Sequence, residues 1–357
     1  LGEVAEITKG KGISKEQLSL KGTLCILYGE LYTKYKFEII SEVISRTDIN
    51  VAGLIKSKSN DVLIPASGET AIDISTTRCI YSNDVLIGGD INILRLKNDN
   101  GTFLSYQLNE KRKLDIAKIA QGISVVHLYG KKLRSLYVFF PDLNEQTKIA
   151  SFLSLIDERI QTQMKIIEEW EKFRYGLRFQ LFKQFKNDSV KVKPTKNLIN
   201  YEQPTKYIVS DNNYSQNPLS TPVLTANKAF ILGYTNERFG IYDKGDCIIF
   251  DDFTMDMKYV TFPFKVKSSA IKILKPKSNI NLRYVFEYLL SLNLKSGEHK
   301  RHYISEIASK TIPLLKRGQQ NTIASLFLSL DYKIVIEKSL LSTYQEQKKY
   351  LLRNLFI

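Results

Sequence analysis

Apolar residues recur along two stretches of this chain in alternating steps of about three and four, the spacing that keeps side chains on one helical stripe. In the first stretch the stripe is Ile149, Leu153, Ile156, Ile160, Ile167, Trp170, Leu177 and Leu181. In the second it is Ile323, Phe327, Leu330, Ile334, Leu341, Tyr344, Leu351 and Leu355. The stretches are copies of one another: residues 145–182 return as 319–356, offset by 174 positions without a gap. In that register Gln146, Ile149, Ala150, Ser151, Asp157, Ile160, Leu177, Leu181 and Phe182 recur as Gln320, Ile323, Ala324, Ser325, Asp331, Ile334, Leu351, Leu355 and Phe356. Unrelated amphipathic helices share leucines and lysines, but a shared Ile-Ala-Ser cluster and a shared Leu-x-x-x-Leu-Phe ending point to duplication.

Each copy reads as a long helix. Pro141 and Asn144 stand at its entry in the first, and Gly176 is the one interior breaker. At about 1.5 Å per residue such a helix reaches roughly 57 Å. A narrow stripe of that length needs a partner, and the duplicate is the nearest candidate. Polar residues interrupt both stripes at equivalent points, Gln163 with Glu337 and Arg174 with Lys348. Polar seam positions can fix register. Antiparallel pairing about a pseudo-dyad predicts Arg174 near Glu337 and Gln163 near Lys348.

Ahead of each helix lies a segment of mixed pattern. Strands are expected at 24–28, 61–64, 84–87 and 91–96 in the first, and at 247–250, 259–262 and 270–274 in the second, with turns at Gly22, Gly68, Gly88 and Gly89. A faint echo links Tyr81 and residues 84–90 to Tyr242 and residues 246–252. Residues 186–196, polar, basic and holding Pro194, suit a linker. The predicted order is a first head at 1–142, a helix at 143–186, a second head at 187–316 and a helix at 317–357. The fold class is α+β with a pseudo-two-fold internal repeat.

Charge narrows the function. Fifty-two Lys and Arg against 37 Asp and Glu leave +15, which favours a polyanionic partner, with an anionic membrane surface as the alternative. No apolar run approaches the ~20 residues of a membrane span and no signal segment opens the chain, so a soluble, cytoplasmic protein is expected. Cys25, Cys79 and Cys247 are too scattered for a disulfide framework or thiolate metal site and read as packing residues in strands. The chain begins at Leu1 rather than Met, leaving room for a native N-terminal arm.

Several motifs now combine: the opening Leu-Gly-Glu-Val-Ala-Glu-Ile, residues 28–31 (Tyr-Gly-Glu-Leu), 224–228 (Leu-Thr-Ala-Asn-Lys), 231–235 (Ile-Leu-Gly-Tyr-Thr), 249–254 (Ile-Phe-Asp-Asp-Phe-Thr), and the two helix starts of form Glu/Gln-Gln-x-x-Ile-Ala-Ser. In this order, over nearly the whole chain, they resemble the specificity subunit of a type I restriction-modification system. The resemblance implies two mixed α/β target-recognition domains, each reading one half of a bipartite, asymmetric duplex DNA site. It implies an antiparallel coiled coil of the two helices that sets the spacer and receives two methyltransferase subunits, with motor-nuclease subunits joining for cleavage. The chain itself would bind no cofactor; S-adenosylmethionine, ATP and Mg²⁺ would serve the partners.

Base edges are read by polar side chains and phosphates by positive charge. In the first head Lys9, Lys11, Lys15, Tyr32, Lys34, Tyr35, Arg78, Lys111, Arg112, Lys113 and Gln121 lie in polar or turn-like stretches that suit such a face. The family places a Gly/Ser/Gln turn ahead of the last strand against DNA; Gln121-Gly122-Ile123-Ser124 stands there with the residue order altered. In the second head Lys295, His299, Lys300, Arg301 and His302 form a dense basic cluster, although a solvated loop has the same composition. Lys206, Asn213, Tyr214, Tyr234, Asn236, Arg238 and Lys258 complete the candidates, aromatics among them being equally suited to a core.

Catalysis by this chain finds little support. The glycine motif and the Asn/Asp-Pro-Pro-aromatic turn of an adenine methyltransferase are absent, as is a phosphate-cradling Gly-x-x-x-x-Gly-Lys-Ser/Thr. Pro141-Asp142 with Glu145 and Lys148 has the residue types of a nuclease, but at a helix start, where Glu145 is expected to cap. Asp251, Asp252 and Asp256 read as structural, His299 and His302 lack further ligands nearby, and His127 reads as a core residue. The competing readings are a self-contained methyltransferase or nuclease with an unrecognised site, and a basic coiled-coil adaptor.

Overall fold

The computed structural model describes residues 1–187, 190–227, 229–294 and 301–356, the side chains of Lys186 and Asn187 excepted. The fold is α+β: two mixed α/β heads are each followed by a long helix. The chain divides into one unit of Leu1–Lys165 with Ser339–Ile357 and another of Ile166–Lys338.

In the first unit a sheet is built from β1 (Ala5–Lys9), β2 (Ile39–Ile40), β3 (Asp61–Pro65), β4 (Arg78–Ile80) and β5 (Ile91–Leu96), in the order β1-β5-β3-β4-β2. The central strand β3 is buried throughout, which is why its run Val62-Leu63-Ile64 is continuously apolar rather than alternating. A smaller sheet of Leu18–Ser19, Ser45–Thr47, Thr23–Ile26 and Leu86–Ile87 lies beside it in sequence. Helix α1 (Gly101–Glu110) follows β5, its start capped by the Asn100 side chain, which accepts from Phe103 N at 2.9 Å. Helix α2 (Leu143–Asn187) leaves this head. Asp142 caps it, accepting from Glu145 N at 3.0 Å, so the cap is Asp142 and not Glu145.

The second unit repeats the plan. Strands β6 (Ile199–Glu202), β7 (Cys247–Asp251), β8 (Met257–Val260) and β9 (Ile271–Pro276) take the order β6-β9-β7-β8, matching β1-β5-β3-β4. Helix α3 (Leu282–Ser291) follows β9 with Asn281 as cap, and helix α4 (Arg317–Leu355) ends the repeat. The strand equivalent to β7 is therefore β3, and the sequence echo between 84–90 and 246–252 paired the wrong strands. Aspartate followed by three apolar residues occurs at both Asp61 and Asp84, and only hydrogen-bond topology distinguishes them. The strand expected at 259–262 begins earlier, at Met257, because Phe250 pairs with Met257. The expected linker is largely structured: α2 runs to Asn187, and Val192–Pro194 pairs antiparallel with Thr311–Pro313.

The helical stripes are buried by more than each other. In the first unit Ile149, Ala150 and Leu153 of α2 meet Leu351, Leu352, Leu355 and Phe356 around Phe103 and Tyr106 of α1. In the second, Trp170, Leu177, Leu181 and Phe182 meet Ile323, Phe327 and Leu330 around Tyr284, Val285, Tyr288 and Leu289 of α3. Ile156, Ile160, Ile167 and Ile334 are also buried, while Leu341 and Tyr344 are half-buried. Within each unit the helix segments run antiparallel, and each head's helix closes a three-helix junction over the stripe.

That third helix sets a register different from the expected one. Arg174 pairs with Asp331, not Glu337, and Lys348 pairs with Asp157 at 2.8 Å, not Gln163. Glu337 instead takes Lys333 of its own helix at 2.6 Å. The seam cations thus meet the aspartates that recur in both copies. Among the described residues, no helix is long and apolar enough to cross a membrane.

Candidate nucleic-acid interface

One edge of the first head gathers several of the expected residues. Lys9, at the end of β1, pairs with Asp90 at 2.7 Å. Burial works to raise the Asp90 carboxyl, but Lys9 beside it holds it below its ordinary value. Ser67–Gly68 pairs with Val126–His127, and His127 and Gln121 exchange backbone hydrogen bonds of 2.9 and 2.7 Å. Lys9 and Asp90 are therefore joined to the exposed loop at 121–125 through backbone pairing, Ala66 N donating to Asp90 O and the buried Ser67 pairing with His127. Tyr32, half-buried, adjoins it, because a Cβ at Gly68 would lie 3.4 Å from the Tyr32 hydroxyl. Lys11 is exposed beside Lys9, its backbone N–H donating to Ile87 O at 3.1 Å.

The remaining first-head candidates disperse. Lys15 lies exposed in a short 3-10 turn, and Lys34 is tied to Glu30 at 2.6 Å. Lys111 is exposed and Lys113 half-buried after α1; Arg112 sits 5.6 Å over the Tyr137 ring and 3.4 Å from Asp115. Two expectations fail. Tyr35 is buried, and Arg78 is buried with its guanidinium donating to the carbonyls of Tyr35 and Thr77. Arg78 closes the loop before β2 and cannot reach a base edge. A basic residue in a strand looks the same in sequence whether it faces solvent or caps buried carbonyls.

In the second head Asn213 and Arg238 are exposed, and Tyr214 and Tyr234 are half-buried. Asn213, Tyr214, Tyr234 and Asn236 lie together: the backbones of Ser215 and Tyr234 exchange hydrogen bonds, Asn236 accepts from the Ser220 hydroxyl at 2.7 Å, and Gly233 leaves room for the Tyr214 side chain. Lys206 is exposed in the turn Pro204–Tyr207, and Gly240 packs on its carbonyl. Lys258 is half-buried on β8, at the place β4 gives to Arg78. Arg301 is exposed, whereas His302 is buried with Nδ1 2.9 Å from the Glu306 carboxylate, a packing role rather than a DNA contact. Lys295, His299 and Lys300 fall outside the described residues. Asp251 and Asp252 are engaged within the fold: Asp251 accepts from Phe253 N and Thr254 N, and Asp252 accepts from Tyr303 N and pairs with Lys272 at 3.4 Å.

The residues that hold the heads to their helices are clearer than the reading faces, and the site reading missed them. Gln146 accepts from Asn100 N at 2.9 Å and donates to Pro141 O; Gln320 accepts from Asn281 N at 2.8 Å and donates to Leu315 O. Each glutamine thus joins a helix start to the cap of its head's helix. Asp157 accepts from the Tyr106 hydroxyl at 2.6 Å, and Asp331 accepts from Arg283. Both pairs are identical across the repeat, which was the available signal.

Residues 1–172 match the family model for the type I restriction modification DNA specificity domain. That match takes in the first head and the start of its long helix. A specificity subunit of the Escherichia coli enzyme EcoR124I/EcoR124II is 46% identical over 135 residues, a match spanning 36% of this chain and 33% of that protein, so the alignment covers about a third of the relative's length. The fold is similar to the crystal structure of a type I S subunit from M. genitalium, with a TM-score of 0.66 and 19% identity, covering 100% of this chain and 94% of the other. It is also similar to a chain solved in work on complex assembly and conformational transition of a type I system, with a TM-score of 0.55 and 12% identity over 99% and 95% of the two chains. These two likenesses bear on the fold.

Proposed function

We propose that this chain is the non-catalytic DNA-specificity subunit of a type I restriction-modification complex, each head reading one half of a bipartite, asymmetric site. The observation that carries this reading is the pairing of a repeated junction with unlike heads. Gln146 with Gln320, Asp157 with Asp331, and the strand orders of the two sheets coincide, while the segments leading from β1 to Thr23–Ile26 (10–22) and from β6 to Thr221–Leu224 (203–220) differ in length and share no pattern. Equal mounts with different faces suit a reader of two different half-sites, and the excess of positive charge supplies phosphate attraction.

On this reading the long helices set the spacer and receive two methyltransferase subunits, and motor-nuclease subunits join through the complex. S-adenosylmethionine, ATP and Mg²⁺ belong to those partners, and the assembly works in the cytoplasm. The test is to co-express the chain with the methyltransferase encoded beside it and map N6-methyladenine by single-molecule sequencing. A split motif with a fixed spacer is expected; methylation without a split motif, or none, overturns the reading.

A further inference from the structure

Ile123 is 99% exposed at the tip of the loop that Gln121 and His127 close with paired backbone hydrogen bonds. The loop is held in shape by Gly122, at φ +125°, where a Cβ would lie 2.0 Å from the Val125 carbonyl oxygen. Val125 and Tyr129, 51% and 54% exposed, extend the apolar tip, and the His127 and Tyr129 rings stack at 6.1 Å. Behind it the buried Ser67 pairs with His127, and the half-buried Asp90 and exposed Lys9 follow along the same edge, so an apolar point projects beside a polar and basic one. Single exposed apolar residues are ordinary on protein surfaces. Here a backbone conformation open only to glycine presents one, on the edge proposed above to meet DNA. A β-branched side chain has few rotamers, so little freedom is lost on contact. In the major groove the one apolar feature among the base edges is the C5-methyl of thymine.

We infer that Ile123 reads a thymine in the first head's half-site by packing against its C5-methyl, an assignment that rests on the DNA-reading function proposed above. The experiment uses the complex of the full chain with its methyltransferase and duplexes carrying the mapped site, each thymine replaced singly by deoxyuridine, with affinity measured at moderate salt. Loss of one buried methyl is expected to weaken wild-type binding about fourfold at one position. Ile123→Ala should weaken binding to the thymine duplex by a similar factor and no longer distinguish thymine from uracil there. The inference fails if the site holds no thymine, if every replacement leaves a site-specific wild type unchanged, or if Ile123→Ala keeps the full discrimination. A wild-type complex with no site preference defeats the DNA-reading function itself, and that result appears before any base is replaced.

Discussion

The two head-to-helix junctions solve one problem with different charges. In the first unit two buried carboxylates share one lysine: Lys348 lies 2.7 Å from Glu38 and 2.8 Å from Asp157. In the second, two carboxylates meet three arginines: Glu287 is held by Arg178 at 2.7 Å and Arg283 at 2.6 Å, and Asp331 by Arg174 and Arg283. The long helices carry the same aspartate in both copies, Asp157 and Asp331, and a cation at equivalent positions, Lys348 and Arg174, whereas Glu38, Glu287 and Arg283 come from heads that have diverged. Six residues after its capping asparagine, α1 carries Tyr106 and α3 carries Glu287; two residues after, α1 carries Thr102 and α3 carries Arg283. The duplicated helices therefore supply the shared aspartate and its cation, and each head adds its own carboxylate and donor, Glu38 with Tyr106 in the first and Glu287 with Arg283 in the second.

The comparison predicts unequal sensitivity. Lys348→Met leaves Glu38 and Asp157 without their shared cation and should cost about 3–5 kcal/mol, read as early unfolding of the first unit by hydrogen exchange. Arg178→Met removes one of the two cations on Glu287, and the remaining Arg283 should limit the loss to about 1.5–3 kcal/mol in denaturant unfolding. Equal costs for these two variants would break the comparison. Where the units are alike, effects should match: Gln146→Ala and Gln320→Ala are each expected to cost about 1 kcal/mol, and the same denaturant titration checks whether one clamp matters far more than the other.

The smallest effect is a difference in pH response. Burial raises the Asp157 carboxyl, Lys348 opposes this and Glu38 adds to it, leaving a value of about 6 against an ordinary 3.8. Between those values the folded first unit holds a proton that the unfolded chain has released, so this group makes stability fall as pH rises from 3.8 to about 6. Glu38 responds in the opposite sense, since burial raises it but Lys348 and Arg78 more than offset that and hold it low. Thermal unfolding across that pH range should lose its Asp157 slope in Asp157→Asn, and a slope unchanged by the substitution would contradict the assignment.

Much of the frame was legible in sequence because repetition and periodicity are local properties. The 174-residue offset, the stripes from Ile149 to Leu181 and from Ile323 to Leu355, and the β5 strand could be read directly. The helix register could not, because it depends on α1 and α3 entering each junction, which no pattern within α2 or α4 encodes. The same limit applies to the candidate interface. Lys9 and Gln121 lie far apart in the chain and share an edge only through Asp90, Ser67 and the pairing of Val126–His127. Arg78 and His302 carry suitable chemistry but turn inward, and their partners, the Tyr35 carbonyl and Glu306, become visible only in three dimensions.

The most direct test of two independent readers on equal mounts is a chain in which residues 1–142 are replaced by a second copy of the head at 187–316, co-expressed with the methyltransferase and mapped for N6-methyladenine. The account predicts that the first half of the motif is lost and both halves become the one read by the second head. Methylation that keeps the original first half would contradict it.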